Sequence, residues 1–403
     1  MATTSFVYHT LGLHGYRLIR TEYVDGCVYF HVRRLRQKRK CRGCRARWHH
    51  LCLNGRFQRE FIALPVGRRR VFIVLHGHYQ KCSCCGRTLR EQVPFACGMK
   101  RYVKAFECLV IDLCRIATIK HVADFLGVGW DLVKEIFKNH LRKRDKRRRF
   151  AQVRYLAIDE FAVRKGHRYM TLVMDLKSGH VLHVGDGKGG DAVVPFLESL
   201  KRRGAEIEAV AIDMWPAFIR AVTDALPGVD IVHDPYHVVA LANKALDDTR
   251  KELYRRLKGT DSKVIKGTRF LLLKGREKLN QPAIHHLSKL VSMNEPLIRA
   301  YLLKEELRYF WSLTERKARR FLNAWIRRAQ MSGLRHFEKL ADVLIRHKSQ
   351  ILTYFKHRIT TGPLEGLNNK VKVLKRQAYG FRDIEYFKLR LLFIHEEIPR
   401  FPG

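Results

Sequence analysis

A multidomain α+β architecture is expected from three features of the 403-residue sequence. They are a β-rich, cysteine-bearing N-terminal part, a middle part where short apolar strands alternate with helices, and a long all-helical stretch after it. Residues 1–98 form the first part: apolar, aromatic and basic residues mix over 27–34, 57–64 and 71–79, with Pro65, Val66 and Gly67 as a turn. Residues 99–150 turn helical and end in the charge run Arg142 to Arg149, where Asp145 alone is not basic; an exposed basic linker is expected there. Residues 151–234 open with three strand-like runs, 155–159, 169–176 and 181–184, expected to pair antiparallel. A helix over 191–202, a strand over 207–212, a helix over 215–225 and a strand over 229–232 complete an α/β pattern. Residues 235–355 are amphipathic and helical, with basic outer faces at Arg316 to Arg320 and at Arg327 and Arg328, and read as an all-α insertion. Residues 356–403 return to the α/β part with a further helix.

Lys and Arg number 79 against 38 Asp and Glu, a formal net charge of +41. An excess of that size implies a polyanionic partner. The sequence has no run of about 18 apolar residues and no charged-then-apolar leader behind Met1, so nucleic acid is expected as the partner and a membrane is not.

All ten cysteines lie between Cys27 and Cys114 of a long chain, which favours reduced thiols or metal ligands over disulfides. Cys41 and Cys44, and likewise Cys82 and Cys85, are separated by two residues, the spacing that lets a tight turn aim two sulfurs at one Zn²⁺. The 37 residues between the pairs exceed the common interval, but the hairpin expected within them would return its ends to one place. A ribbon-like, four-ligand site would be structural, because it leaves no open coordination position. Cys84 could replace Cys82 or Cys85, and His49, His50, His76 and His78 are further possible ligands; plain thiols are the other reading. Cys27, Cys52, Cys97, Cys108 and Cys114 are expected in the core.

Val122, Leu126, Val128, Val133 and Ile136 are apolar where two short helices would pack, and Ala123 and Gly127 suit a close crossing. The turn Gly127-Val128-Gly129 would lead into a second helix over 130–138, able to lie in a major groove with Trp130, Asp131, Lys134 and Lys138 outward. Arg142, Lys143, Arg144, Lys146, Arg147, Arg148 and Arg149 would add affinity for phosphates without sequence preference.

Asp159 follows Tyr-Leu-Ala-Ile and Asp213 follows Ala-Val-Ala-Ile, so both acids are expected where buried strands end at solvent. A lone acid there is equally a turn or cap, and Asp213 could cap the helix entered at Trp215. Glu365 shifts the balance. On the helix beginning near it, Leu364, Leu367, Val371 and Leu374 form an apolar stripe, while Glu365, Asn368, Asn369, Lys372 and Arg376 recur at steps of three and four on the other face. An acidic cluster in a chain this basic would be costly for binding DNA unless divalent cations neutralised it, and Mg²⁺ takes carboxylates while keeping waters and substrate oxygens. Two such ions about 3.5–4 Å apart would activate a water or 3′-hydroxyl and stabilise the leaving oxygen.

At these residues the sequence resembles the ISL3 family of DDE transposases from bacterial insertion sequences, over nearly the whole chain and most specifically over residues 362–382. The resemblance implies a zinc-binding region and a helix-turn-helix followed by an RNase H-like catalytic domain interrupted by an all-α insertion. It assigns the catalytic acids to Asp159, Asp213 and Glu365, with two Mg²⁺ or Mn²⁺ ions per site and one structural Zn²⁺ at Cys41, Cys44, Cys82 and Cys85. The family's Asp-x-x-His element falls on Asp234 and His237, implying a supporting role beside Asn368, Asn369 and Lys372. Lys165-Gly166-His167, Lys375 and Arg376 are family-like as well, as DNA contacts or packing. The implied partners are double-stranded DNA, as terminal inverted repeats and target, bound by a homodimer or higher oligomer in the bacterial cytoplasm at the nucleoid. The expected activity is cleavage of 3′ strands at the element's ends and their joining to target DNA. Two other classes share these residues: a non-enzymatic DNA-binding regulator derived from a transposase, and an RNase H-like nuclease without strand transfer.

Overall fold

Residues 6–9, 11–35, 40–164, 168–256, 268–292 and 295–395 are described by a computed structural model. The chain divides into two units, residues 1–147 with 395–403, and residues 148–394. Lys165, Gly166 and His167 lie outside the described residues.

In the first unit a short helix, α1 (Phe6–His9), precedes strands β1 (Tyr16–Val24), β2 (Cys27–Arg34), β3 (Leu51–Ile62), β4 (Val71–Cys82) and β5 (Thr88–Arg90). The sheet runs β1-β2-β4-β3, with β5 on the other part of β4. Asp25 and Gly26, both at positive φ, turn β1 into β2 as a tight hairpin. The hairpin β3–β4 pairs Leu51 with Cys82 and so carries the ends of the long inter-cysteine interval back to one place.

Three helices follow: α2 (Lys104–Ile116), α3 (Ile119–Leu126) and α4 (Trp130–Asp145). Thr118 caps α3 by accepting from the His121 N–H at 3.2 Å. Gly127, at φ 61°, ends α3, and the Val128 N–H returns to the Ala123 carbonyl at 3.0 Å. Val133, Ile136, Phe137 and Leu141 form the buried stripe of α4. That stripe continues past residue 138, so α4 runs on to Asp145 and the first half of the basic run is helical, where a linker was expected.

The expectation of five core cysteines holds for Cys114 alone. Cys27 is half-buried, and Cys52, Cys97 and Cys108 are exposed. On α2 the buried positions Phe106, Val110 and Cys114 recur every four residues, and Cys108 falls off that stripe.

The second unit is built on a five-stranded sheet ordered β10-β9-β6-β7-β8. Its strands are β6 (Tyr155–Arg164), β7 (Arg168–Asp175), β8 (Val181–Asp186), β9 (Ala209–Ile212) and β10 (Asp230–His233). β6, β7 and β8 pair antiparallel, as expected, and β9 and β10 add in parallel to β6. Between them lie α5 (Val194–Arg202) and α6 (Pro216–Ala225). Alternation along the strands sends Leu156, Ile158, Val210 and Ile212 into a core with Leu197, Leu200, Phe218 and Val222 of these helices. Ala157, Phe161, Val163 and Ala211 face the opposite core, which is closed by Leu364, Leu367 and Val371 of α14 (Gly362–Gln377) and by Phe387 and Leu391 of α15 (Ile384–Leu392).

Between β10 and α14 the described elements are helices: α7 (Pro235–Arg256), α8 (Arg269–Leu273), α9 (Gln281–Ser292), α10 (Glu295–Phe310), α11 (Glu315–Gln330), α12 (Arg335–Arg346) and α13 (Lys348–His357). They share a separate core around Phe310, Leu322, Trp325 and Phe337. The buried Trp325 indole donates to the Leu303 carbonyl at 2.9 Å. Arg316, Lys317, Arg319, Arg320, Arg327 and Arg328 stay on the exposed side of α11.

Polar contacts at both ends of β10 fasten this helical segment to it. Asp230 accepts from Lys356 Nζ at 2.6 Å and from His357 Nε2 at 2.7 Å, and these two partners hold its carboxyl below the usual carboxylate range. At the other end of the strand, Nε2 of the buried His233 lies 3.3 Å from Nδ1 of the half-buried His347. Burial, and then the neighbouring His347, push the His233 pKa from 6.5 down to about 4. Between those values the unfolded chain takes up a proton that the native state refuses. Stability is therefore kept above pH 6.5 and lost as pH falls towards 4, by on the order of 3 kcal/mol. Melting curves across this window should fall less steeply for His233→Gln than for the unsubstituted chain; parallel curves would exclude His233 as the source.

Candidate active site

Ala157 of β6 and Ala211 of β9 stand side by side in the parallel pairing. Asp159 and Asp213 each lie two residues further on, so the two-residue period turns both toward the face that α14 covers. β9 ends at Ile212, while β6 continues to Arg164 paired only with β7, Asp159 opposite Leu172. Asp159 is thus inside a strand, although the sequence suggested its end; what ends there is the neighbouring strand. The opening left by β9 exposes the site.

Asp159 is half-buried, its Oδ1 accepting from the Glu160 N–H at 2.8 Å and its Oδ2 from Asn368 Nδ2 at 3.1 Å. Desolvation raises its pKa, the Asp213 charge raises it further, and His237 and Asn368 oppose the rise. Glu160 is raised too, first by burial and then by Asp213 and Asp159, against Lys188. Asp213 Oδ1 accepts from the Trp215 N–H at 3.0 Å, so the turn-forming role weighed from the sequence is present. That contact engages one oxygen of the carboxylate.

The bond from Asn368 joins residues 209 apart in sequence and sets α14 against Asp159. Glu365 lies one helical turn before Asn368 on the same helix, and it is exposed. Asn368 Oδ1 is buried with no hydrogen-bond partner. Asn369 and Lys372 are exposed and bonded to each other, Oδ1 to Nζ, at 3.4 Å. Among the described residues the three acids are not drawn into a cluster tight enough to be a ready-made metal cage. They do offer the donor set a hard divalent cation uses: carboxylate oxygens whose mutual repulsion a cation would relieve.

Asp234 follows β10 and is 2% exposed. Its Oδ1 accepts from the Tyr236 N–H at 2.6 Å, at the start of α7. Its Oδ2 accepts from the Thr361 N–H at 2.6 Å and from the Thr361 hydroxyl, immediately before α14. No role was expected of Thr361. A threonine just ahead of a helix reads as an ordinary cap, but here the hydroxyl does not cap α14; it turns to Asp234.

Of the residues assigned to DNA contact, Trp130 is 52% exposed with Lys134 Nζ 5.6 Å from its ring centroid, and Arg142, Lys143, Arg144, Lys146, Arg147 and Arg149 are exposed. Lys138 is half-buried on α4, and Arg376 is exposed on α14. Two others are engaged internally. Arg148 donates to the Val181 carbonyl at 3.1 Å, and Lys375 donates to the carbonyls of Ala162, at 3.3 Å, and Val163.

In the first unit, the sulfurs of Cys41, Cys44, Cys82 and Cys85 lie within 4.8 Å of one another, a set that could hold a metal ion. The Cys41–Cys85 and Cys44–Cys82 sulfur distances are 3.8 and 3.6 Å. Four thiolates around one Zn²⁺ at about 2.3 Å would be about 3.8 Å apart. The two turns are alike: the N–H groups of Arg45 and Gly86 return to the carbonyls of Cys41 and Cys82, both at 2.9 Å, with Arg45 and Gly86 at positive φ. A Cβ on Gly43 would stand 3.3 Å from Cys85 Sγ and 3.2 Å from Arg87 Cδ, so the close approach of the turns favours glycine there. The Cys82 thiol is pulled down to about 6, first by the backbone N–H of Cys85 and, against burial, by that of Cys84. The choice left open in the sequence falls on Cys85. Cys84 is exposed, and His49, His50, His76 and His78 are not part of the cluster.

Residues 156–391 match the profile of a transposase family, the DDE group of ISL3 type. Over 333 residues the chain is 33% identical to the transposase of insertion sequence element IS1001 from Bordetella parapertussis, covering 81% of this chain and 82% of that one. It is 29% identical over 393 residues to the transposase of IS1557 from Mycobacterium tuberculosis, covering 91% of this chain and 88% of the other. Among solved structures, the Drosophila P element transposase strand transfer complex aligns at 11% identity and TM-score 0.32, over 61% of this chain and 78% of that chain, a likeness too slight to inform the fold. No helix of the described residues is long and apolar enough to cross a membrane. With the family profile matched from the first strand of the second unit to its last helix, and a relative aligned over four-fifths of both chains, the protein belongs to the ISL3 family of DDE transposases.

Proposed function

We propose that the chain recognises the terminal repeats of an insertion sequence through its first unit, and cuts and joins DNA strands through an RNase H-like core in its second. The mixed five-stranded sheet with helices on both faces supports that core. The observation that carries the reading is the Asn368–Asp159 bond, which brings the helix of Glu365 to the strand acids from the far side of the helical insertion.

In this reading Asp159, Asp213 and Glu365 hold two Mg²⁺ or Mn²⁺ ions. When bound, such ions activate the attacking oxygen and stabilise the leaving one in an in-line displacement. The protein's own part is orientation. The Glu160 N–H and Asn368 each hold one oxygen of Asp159 and the Trp215 N–H holds one of Asp213, which limits the rotation of both carboxylates. Glu365, exposed one helical turn before Asn368 on α14, is the third member of the set. His237 follows Asp234 in the first turn of α7, and Asn369 and Lys372 present polar groups to the DNA strand. In the first unit, α4 would enter the major groove with Trp130 and Lys134, and the basic residues after it would hold phosphates. A Zn²⁺ at the four cysteines would tie the β3–β4 hairpin to the turn before it.

The test uses the full chain with duplexes carrying the DNA ends that border its own coding sequence. Joined products are expected alongside 3′-strand cleavage, and only with Mg²⁺ or Mn²⁺ present. Cleaved but never joined DNA would favour the nuclease. Specific binding with no cleavage in either metal would favour the regulator.

A further inference from the structure

The helical insertion separates the strand acids from Glu365, so something must return α14 to a fixed place after α7 to α13 have intervened. Asp234 and Thr361 flank that interval, 127 residues apart in sequence, and meet directly. One carboxylate closes the gap: Oδ1 holds the Tyr236 N–H in the first turn of α7, and Oδ2 holds both the N–H and the hydroxyl of Thr361 ahead of α14. Asp234 is 2% exposed and Thr361 7%. The helix starts on either side each present N–H groups to a negative charge, which is the favourable sense of the helix dipole. The Leu364 N–H then returns to the Thr361 carbonyl at 2.8 Å, so Thr361 is the first fixed point of the turn that carries Glu365.

We propose that Asp234 is a positioning residue, a clasp that sets where α14 begins and hence how far Glu365 reaches toward Asp159 and Asp213. Both of its oxygens accept from backbone and hydroxyl donors and the residue is buried, so its part is played through Thr361. The chemistry follows from the donors. An amide in place of the carboxylate sets an N–H₂ group against Thr361 N–H or Tyr236 N–H, both donors, and the clasp opens. The inference rests on the proposed catalytic role of Glu365, but the clasp itself can be read without any activity.

The experiment compares Asp234→Asn, Thr361→Val, Thr361→Ser and the Asp234→Asn/Thr361→Val double variant, all in the full chain. Amide hydrogen exchange over residues 362–366 is the first readout. The expected result is exchange at least about tenfold faster in Asp234→Asn and Thr361→Val and near normal in Thr361→Ser, with the remaining exchange pattern intact; unchanged exchange in Asp234→Asn overturns the clasp. The second readout is the Mg²⁺ concentration for half-maximal cleavage of the end duplex. It should rise about tenfold in Asp234→Asn and in Thr361→Val and stay near normal in Thr361→Ser, with end binding within about twofold, and the double variant should be no worse than the worse single, because both remove one contact. A strong Mg²⁺ shift in Asp234→Asn with none in Thr361→Val would make Asp234 a ligand and overturn the positioning role. If the unsubstituted chain cleaves nothing, the function reading fails, and the exchange result still decides the clasp.

Discussion

Asp213→Ala abolishes metal-dependent strand cleavage, lowering the rate by about a thousandfold or more while leaving binding to the DNA end within about twofold. The size of the loss follows from what the carboxylate holds: a divalent ion stabilising transition-state charge supplies several kcal/mol, and each 1.4 kcal/mol or so is a factor of ten. Binding is spared because the proposed reading surface, α4 and the basic residues after it, belongs largely to the other unit. Removing an acid also removes negative charge from a chain of net charge +41, which favours DNA binding if it changes it at all. Asp159→Ala and Glu365→Ala should behave alike, with a difference in detail. Asp159→Ala strands Asn368, which loses the acceptor for its side-chain amide, so some instability of α14 should accompany its loss of activity. Glu365 is exposed, so its removal should leave the melting temperature unchanged. Cleavage by Asp213→Ala at a tenth of the normal rate or better would remove Asp213 from the machinery.

The second large effect is on the first unit. Cys41→Ser or Cys82→Ser should release the metal and abolish end binding, while the second unit keeps its own unfolding transition. Structural zinc in small domains contributes on the order of 10–16 kcal/mol to folding, more than a unit of this size holds in net stability. The metal would close a loop that otherwise depends on the β3–β4 hairpin and the backbone bonds of two turns. Cys84→Ser should retain one zinc per chain, because Cys84 is exposed and its sulfur is outside the quartet. Elemental analysis of the purified chain decides this: about one zinc in the unsubstituted protein and in Cys84→Ser, none in Cys82→Ser. A metal-free unsubstituted protein that still binds its ends would sink the site.

Much of this was legible in the sequence where period and turn chemistry agree. The runs at 155–159, 169–176 and 181–184 are apolar almost without a break because one sheet face packs on α5 and α6 and the other on α14 and α15, and their antiparallel pairing follows from short connections. β1 was missed because Tyr16–Val24 buries little more than Tyr16, so its alternation is diluted by charge, although Asp25-Gly26 marked the hairpin. Asp159 looked like a strand end because the apolar run stops there. Phe161 and Val163 continue the buried face beyond it, and a charged residue within a strand hides that continuation. The cysteine quartet was readable from spacing, but the choice of Cys85 over Cys84 depends on the turn geometry, which only three-dimensional placement fixes. Thr361 and Asp234 escaped as partners because nothing local links residues 127 apart; their contact exists only once the insertion has folded and returned the chain.

The central claim is that Asp159, Asp213 and Glu365 hold the divalent ions that act on DNA. Counting Mn²⁺ bound to the full chain on its DNA end, by electron paramagnetic resonance, tests it most directly. Two Mn²⁺ per active site are expected in the unsubstituted protein, with Asp159→Ala losing both and Glu365→Ala losing at least one. The same Mn²⁺ count in Asp159→Ala as in the unsubstituted protein would contradict the assignment.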